Sequence, residues 1–418
     1  MSHDKPIKSP AQMPEVNLDR RRFLQAATLG GAALGLGLPL VGRAAPKARV
    51  VVVGGGYGGA IAAKYLHMAD SDIRVTLIEQ NPVYISCPLS NEVLSGDRDL
   101  DSLTFDYRGL TRRGINVMQD RIVGIDAEQR FVTGAGGNRY NYDRLIVSPG
   151  VSFRWDAIDG MTEAAAETSM PHAWKAGPQT RLLRQQLEAM DDGGVFVIVA
   201  PPNPFRCPPG PYERAAQAAH YFKQRKPKSK ILLLDAKDAF SKQALFQAGW
   251  KAHYGDMIEW VSGAAGGIVE GVDPATRTLI GEVDEYTGDV VNLIPHQQAA
   301  ALAVDAGLTD DSGWCPVDQQ TFESTLLPSV HVIGDAAIAG AMPKSGYAAN
   351  SQAKVCAAAV VDMLSGREPG VPAYVNTCYS IAAENHGFSV AAVYRLAEDG
   401  STIVGVEGAG GLTPADAS

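Results

Sequence analysis

The sequence predicts an α/β protein: two Rossmann-like βαβ domains, the second inserted into the first, followed by a small α+β domain at the C-terminus. Three observations carry this reading. Residues 49–53 form an apolar run suited to a buried parallel strand, and it enters a glycine-rich turn and then a helix-like segment. A second such run, residues 195–199, lies mid-chain. A third short strand, residues 329–333, ends in Gly334-Asp335. The 418 residues suffice for two to three domains. With 45% hydrophobic and 20% charged residues, the composition is that of a globular protein. A formal charge of −9 without a long basic run argues against nucleic acid as a partner.

The N-terminus reads as a leader that is not part of the fold. Arg20, Arg21 and Arg22 precede Phe23-Leu24, a mild apolar stretch covers residues 26–40, and Gly42 and Ala44 frame a cleavage point. Paired arginines followed by Phe-Leu match a twin-arginine (Tat) export signal over residues 1–44, which implies the periplasm. The apolar stretch is short and glycine-rich for a spanning helix, so no stable membrane insertion is expected after its removal. The first 44 residues carry six basic and three acidic side chains, which leaves the remainder near −12.

The first βαβ unit follows directly. Gly54 permits the tight turn, Gly56 lets backbone approach a pyrophosphate, and Gly59 allows close helix–strand packing. The helix that opens near Ala60 presents free N–H groups to phosphates. A second strand, residues 73–78, ends at Glu79, twenty residues beyond Gly59, where a carboxylate can accept ribose hydroxyls. Alone this fingerprint does not separate FAD from NAD. Two later segments do: residues 142–150, a strand running into Pro149-Gly150, and the strand ending at Gly334-Asp335. Both resemble segments of two-dinucleotide-domain flavoproteins of the disulfide-reductase type, in which the Asp at the position of Asp335 binds the ribityl chain of FAD.

The second βαβ unit departs from the pattern. Its strand is followed by residues 200–211, crowded with prolines that lack N–H donors, and no second glycine fingerprint is present. The fold is kept and the nicotinamide cradle is lost, so electrons are expected from a donor other than NAD(P)H.

Five cysteines remain to be assigned: Cys87, Cys207, Cys315, Cys356 and Cys378. Cys207 lies in the proline-rich loop just before a helix near Tyr212-Glu213-Arg214, where a helix N-terminus favours thiolate. Cys378 lies near the C-terminus; by spacing alone the two are equally a structural pair, a redox pair or separate thiols. Cys87 sits in a loop after the second strand, and Cys315 and Cys356 read as buried structural thiols.

Taken together, the leader, the Cys87 loop, residues 203–214 (Asn-Pro-Phe-Arg-Cys-Pro-Pro-Gly-Pro-Tyr-Glu-Arg), residues 254–260 and residues 376–380 (Asn-Thr-Cys-Tyr-Ser) resemble the flavoprotein subunit of flavocytochrome c sulfide dehydrogenase. The resemblance extends over essentially the whole chain. It implies FAD joined covalently through Cys87 and a redox-active disulfide between Cys207 and Cys378. It also implies sulfide as substrate and a separate c-type cytochrome subunit as electron acceptor. Hydrosulfide attack on the disulfide gives a persulfide and a thiolate, with Cys378 assigned as the thiolate that passes two electrons to the flavin. Lys344, just after the Gly-Asp turn, is a candidate for stabilising charge on reduced flavin. The chain contains no Cys-x-x-Cys-His and no zinc-ligand spacing, so neither haem nor metal is expected in it. The acidic balance suits docking to a basic cytochrome surface.

Three other readings compete. A sulfide:quinone oxidoreductase shares the architecture and chemistry, but calls for an amphipathic C-terminal helix, whereas residues 387–418 read as short strands and a polar tail. A non-catalytic, FAD-stabilised partner protein explains the lost cradle but not the retained cysteines. A plain NAD(P)H-dependent disulfide reductase calls for Cys-x4-Cys and a second fingerprint. The expected layout is leader 1–44, FAD domain 45–160, second domain 161–285, FAD domain resumed 286–365, and C-terminal interface domain 366–418.

Overall fold

The computed structural model describes residues 46–414, so the expected twin-arginine leader lies outside the described residues. The first apolar run becomes the strand Ala48–Val53, central in a five-stranded parallel sheet. Across that sheet the order is Val330–Val332, Arg144–Val147, Ala48–Val53, Ile73–Glu79 and Asn116–Gln119. Val50, Val52, Leu77, Leu145 and Ile146 are fully buried, as a parallel sheet covered on both faces requires. The helix Gly59–Ala69 lays Ala62, Ala63 and Leu66 against it, the i, i+3, i+4 stripe of an amphipathic helix. Truncating the fully buried Leu66 to Ala costs about 2–5 kcal/mol. The helix Gly346–Leu364 packs beside Gly59–Ala69.

Two glycines make this corner possible. Gly54 has φ +98°, and a Cβ on Gly59 would fall 1.8 Å from the Gly54 carbonyl oxygen. Any side chain at Gly59 therefore pushes the helix away from the strand and opens the turn.

The second sheet is also parallel, in the order Ile258–Val261, Lys230–Asp235, Val195–Ala200 and Val290–Leu293. The helix Gly210–Arg225 is its βαβ crossover. The strand Val290–Leu293 pairs with Val195–Ala200, so the second domain runs past the expected boundary at residue 285. An apolar strand signals burial, not which sheet buries it, so the sequence pattern does not locate this boundary. Just beyond, Gln297–Ala299 pairs antiparallel with Val151–Phe153, tying together the outward and return crossings between the domains.

A third sheet closes the chain: Ala373–Ala383, His386–Leu396 and Ile403–Leu412, all antiparallel. These strands are longer than the short ones expected for the tail. The first of them packs against three helices: Gly346–Leu364, Gly210–Arg225 and Gln243–Tyr254. The strand that carries Cys378 therefore packs against helices of both parallel domains. Among the described residues no helix is long and apolar enough to cross a membrane.

Candidate functional site

The glycine-rich turn lines one wall of a cavity of about 610 Å³, with Gly55, Gly56, Tyr57, Tyr84 and Tyr107 on its surface. The helix Gly59–Ala69 has no side chain capping its first N–H groups. Glu79 stands at the end of its strand: Oε2 accepts the Gly55 N–H at 2.7 Å, and Oε1 accepts the backbone N–H and side-chain amide of Asn81, each at 3.0 Å. Pro149 and Gly150 follow the neighbouring strand, and Gly150 adopts φ +71°. Gly334 adopts φ +79° and donates its N–H to Gln352 Oε1 at 2.8 Å. That bond links the Gly-Asp turn to the helix Gly346–Leu364.

Asp335 supplies the test of cofactor fit. Its Oδ1 is buried and has no hydrogen-bond partner within the protein. Burial raises its carboxyl pKa, while Arg206 and Lys344 hold it back. Leaving such an oxygen unmet costs about 1–3 kcal/mol, which a polyol hydroxyl would recover. The residues present fit FAD: glycine turn, strand-end Glu79, and Asp335 where the ribityl chain calls for an acceptor. Tyr107 also has a buried, unpartnered hydroxyl facing this cavity, and nothing in its exposed-looking sequence context marked it.

Cys87 lies on the loop after the short strand Val83–Ile85. Its sulfur accepts the Ala176 N–H at 3.4 Å and faces the Trp174 carbonyl at 3.8 Å. Tyr57 and Tyr84 meet edge-on at 5.8 Å, and the Tyr57 hydroxyl bonds Ser86 Oγ at 2.9 Å, which fixes this loop to the glycine turn. The Arg206 guanidinium also donates to the Trp174 carbonyl, and its charge faces Cys87, Asp335, Tyr84 and Cys207.

Cys207 adopts the left-handed backbone, φ +60°, and its N–H donates to the Lys344 carbonyl at 2.8 Å. Ser345, next in the chain, donates to Asn376 Oδ1 at 2.6 Å, and Asn376 Nδ2 reaches Cys378 Sγ at 3.4 Å. One hydrogen-bonded path thus joins Cys207, Lys344–Ser345, Asn376 and Cys378. All five cysteines are unpaired in this structure. The thiolate expected at Cys207 from its place ahead of the helix needs correction. Although one side of the residue is open to the cleft, burial of its sulfur, with the Glu213 carboxylate nearby, pushes the thiol up to about 12. The helix begins only at Gly210, three residues past Cys207.

The Lys344 side chain turns away from Cys207. Its Nζ donates to the carbonyls of Asp335 and Ala337, at 2.8 and 3.1 Å, and lies 3.7 Å from the Trp314 ring centroid. Burial lowers it to about 8.

Three further residues surround the two sulfurs, and no sequence motif marks their roles. Glu213 Oε1 accepts the Ile381 N–H at 2.9 Å and Oε2 accepts Asn91 Nδ2 at 3.1 Å; burial raises this carboxyl above the ordinary range. Lys242 bonds the strand of Cys378. Arg214 is buried and satisfied by Asn91 Oδ1, Asn292 Oδ1 and the carbonyls of His172 and Ala173. The only local signal for Glu213 and Arg214 was two adjacent charges in the first turn of an otherwise alanine-rich helix.

In the second domain, Asp235 occupies the strand-end position at which an acid would meet a nicotinamide ribose. Here it is fully buried and committed to Tyr212 OH at 2.6 Å, Trp260 Nε1 at 3.0 Å and Lys237 Nζ at 2.5 Å. Tyr212 stacks on Phe240 at 3.6 Å and fills the space beside it. Among the described residues no three metal-ligating side chains converge.

Three family models match the chain. Residues 180–295 match the central domain of the sulfide dehydrogenase [flavocytochrome c] flavoprotein chain, and residues 370–418 match the flavocytochrome c sulphide dehydrogenase flavin-binding domain. Residues 48–186 match pyridine nucleotide-disulphide oxidoreductase. The sulfide dehydrogenase [flavocytochrome c] flavoprotein chain of Chlorobaculum thiosulfatiphilum is 58% identical over 45 residues, which is 11% of this chain and 94% of that sequence. The sulfide-quinone reductase of Aquifex aeolicus is 26% identical over 183 residues, 44% of this chain and 41% of that protein. The solved sulfide:quinone oxidoreductase from Aquifex aeolicus superposes with a TM-score of 0.68 at 19% identity, covering 86% of each chain, and so shares the fold. A solved putidaredoxin reductase–putidaredoxin complex superposes at 0.64 and 18% identity, covering 88% of this chain and 89% of that one.

Proposed function

This chain belongs to the family of flavocytochrome c sulfide dehydrogenase flavoprotein chains, and from that premise we propose that it oxidises sulfide in the periplasm through a Cys207–Cys378 disulfide and hands the electrons to a c-type cytochrome subunit. It is a flavin-dependent oxidoreductase of the sulfide-oxidising class. The observation that carries the proposal is the path from the Cys207 N–H through Lys344, Ser345 and Asn376 to Cys378 Sγ, beside an Asp335 oxygen in want of a donor.

Bound FAD supplies a two-electron acceptor that can be reoxidised one electron at a time. Gly54, Gly56 and Gly59 would cradle its pyrophosphate, Glu79 would take the ribose, Asp335 the ribityl chain, and Cys87 would be the attachment thiol. Hydrosulfide attacks one sulfur of the disulfide; the S–S bond breaks, a new S–S bond forms to the substrate, and the other sulfur departs as thiolate. A second hydrosulfide attacks the outer sulfur of the persulfide and leaves with it as hydrogen disulfide, freeing that cysteine as a thiolate; re-pairing of the two thiolates gives up two electrons, for which bound FAD would be the acceptor. Arg206, fixed by Trp174, holds positive charge between Cys87, Asp335 and Cys207 throughout.

Export is supported by the paired arginines ahead of Phe23-Leu24, and a cytochrome partner by the family. Sulfide added anaerobically to FAD-loaded protein should bleach the oxidised flavin spectrum, and Cys207→Ser should abolish the bleaching. An unchanged parent spectrum overturns the reading. Added cytochrome c should then reoxidise the flavin faster than a quinone analogue; the reverse order would favour a quinone acceptor.

A further inference from the structure

The proline-rich loop that carries Cys207 is held from outside. Between residues 201 and 211 six of eleven positions are proline, so only Asn203, Phe205, Arg206, Cys207 and Gly210 own a backbone N–H. Apart from the turn that the Gly210 N–H closes on the Cys207 carbonyl at 2.8 Å, its shape falls to donors and acceptors on other elements. Gln297 Oε1 accepts the Arg206 N–H at 2.9 Å, and Trp174 Nε1 donates to the Arg206 carbonyl at 3.1 Å. The Lys344 carbonyl accepts the Cys207 N–H at 2.8 Å. Cys207 itself stands at φ +60°, which a residue with a side chain keeps only where its surroundings over-determine it.

The clamp at the start of the loop comes from the strand end that carries Asp235. Lys237 Nζ donates to the Pro201 carbonyl at 2.7 Å and lies 4.9 Å from the centroid of the Phe205 ring, two residues before Cys207. Asp235 Oδ1 holds that ammonium at 2.5 Å and also accepts the Lys237 N–H at 3.1 Å. Asp235 Oδ2 is fixed in turn by Tyr212 and Trp260. Phe205 is buried, with its ring facing Trp174 at 6.4 Å. One ammonium thus grips the span 201–205 at both ends, by a hydrogen bond and by a ring face. A buried Asp–Lys pair adds little net stability, because desolvation offsets the attraction. What this pair contributes is a fixed point for the loop.

We propose that the Asp235–Lys237 pair, at the strand end where an acid would otherwise meet a nicotinamide ribose, positions Cys207 for its bridge to Cys378 by clamping the proline-rich loop at Pro201 and Phe205. The inference rests on the disulfide reading above and adds the support that sets the bridge. Lys237 is a positioning residue, since it meets the loop and not the sulfur. Without the clamp the loop shifts, Cys207 leaves its left-handed backbone, and its sulfur draws away from Cys378. A disulfide tolerates little such movement, so the bridge becomes easier to reduce. In that reduction the S–S bond takes two electrons and two protons from dithiothreitol, which closes to its own cyclic disulfide.

The test uses FAD-loaded protein and reads, by thiol labelling and mass spectrometry, the ratio of reduced to oxidised dithiothreitol that half-opens the Cys207–Cys378 bridge. Lys237→Met should lower that ratio about tenfold, and Lys237→Arg should return it to within about twofold. Arg144→Met, which removes the ion pair with Glu323 beside the first sheet, should lower the melting temperature and leave the ratio alone. An unmoved ratio in Lys237→Met, or an equal shift in Arg144→Met, overturns the proposal. Should Lys237→Met not fold, Asp235→Asn/Lys237→Met leaves no unpaired charge and should show the same shift; an unmoved ratio there overturns the proposal too. Hydrogen exchange of residues 201–211 in reduced protein does not depend on the bridge. The Arg206 and Cys207 amides should exchange about tenfold faster in Lys237→Met than in the parent, and equal rates overturn the clamp. A parent protein with no bridge to open refutes the disulfide reading instead, and the exchange rates then decide the clamp alone.

Discussion

The backbone N–H of Cys207 donates to the backbone carbonyl of Lys344 at 2.8 Å, so the loop of one sulfur is anchored to the residue before the N-cap of the helix Gly346–Leu364. The anchor belongs to the main chain, and the Lys344 side chain is occupied elsewhere, over Trp314. Lys344→Met should therefore keep the Cys207–Cys378 bridge. Thiol titration of the denatured, oxidised holoprotein should find only Cys315 and Cys356. Loss of two hydrogen bonds and the Trp314 contact should cost about 1–3 kcal/mol in denaturant titrations. Appearance of two further thiols would refute the main-chain anchor.

Cys87 tests the covalent attachment. Flavin should remain with the parent protein after acid precipitation, and Cys87→Ser should release it into the supernatant. Binding in the native Cys87→Ser protein should persist, because the glycine turn, Glu79 and Asp335 are untouched. Free flavin from the precipitated parent contradicts the thioether.

The plugged second domain predicts indifference to NADH. Neither the parent nor Asp235→Asn should show flavin bleaching by NADH, because Tyr212, Phe240 and Trp260 fill the site. Asp235→Asn should still destabilise the fold by about 3–5 kcal/mol, since it leaves Lys237 buried without its counter-charge. Anaerobic stopped-flow absorbance checks the first outcome and urea denaturation the second.

His172 gives a pH signature. Its Nδ1 accepts the Trp174 N–H at 2.8 Å, and burial, with Arg214 adding to it, lowers the imidazole to about 3 from its ordinary 6.5. Between those values the unfolded chain binds the proton and the folded protein does not, so stability falls as pH drops from 6.5 towards 3 and is level above. The loss reaches about 2 kcal/mol by pH 5. His172→Asn should be flatter than the parent by that amount between pH 7 and pH 5. Parallel curves for the two proteins would exclude His172 as the source.

What could be read from the chain was whatever depends on near neighbours. The turn at Gly54–Gly59, the strands around it and the proline-rich loop announce themselves within a dozen residues, because backbone conformation is a local matter. Lys242 and Glu213 did not: their partners Cys378 and Ile381 lie more than 130 residues away, and nothing near either residue points to them. Asp235 resembled any strand-end acid until Tyr212 and Trp260 folded over it. The raised thiol of Cys207 is hidden for the same reason, since a helix start is visible locally and desolvation is not. The last of the long strands at the tail is glycine-rich, which blurs the alternation that would have marked its length.

Cys207 lies on the loop that leaves the second sheet and Cys378 on a strand of the third, and this makes the spacing of their sulfurs a property of assembly. A disulfide tolerates a Cα separation that varies by only about 2 Å. Three straps hold that gap: Glu213 on Ile381, Lys242 on Cys378 and Ser380, and Ser345 on Asn376. They work as a gauge block between two slabs, so that a slip of one against the other would first misplace the two sulfurs. On the proposed disulfide chemistry, turnover would thereby also report whether the two slabs are seated.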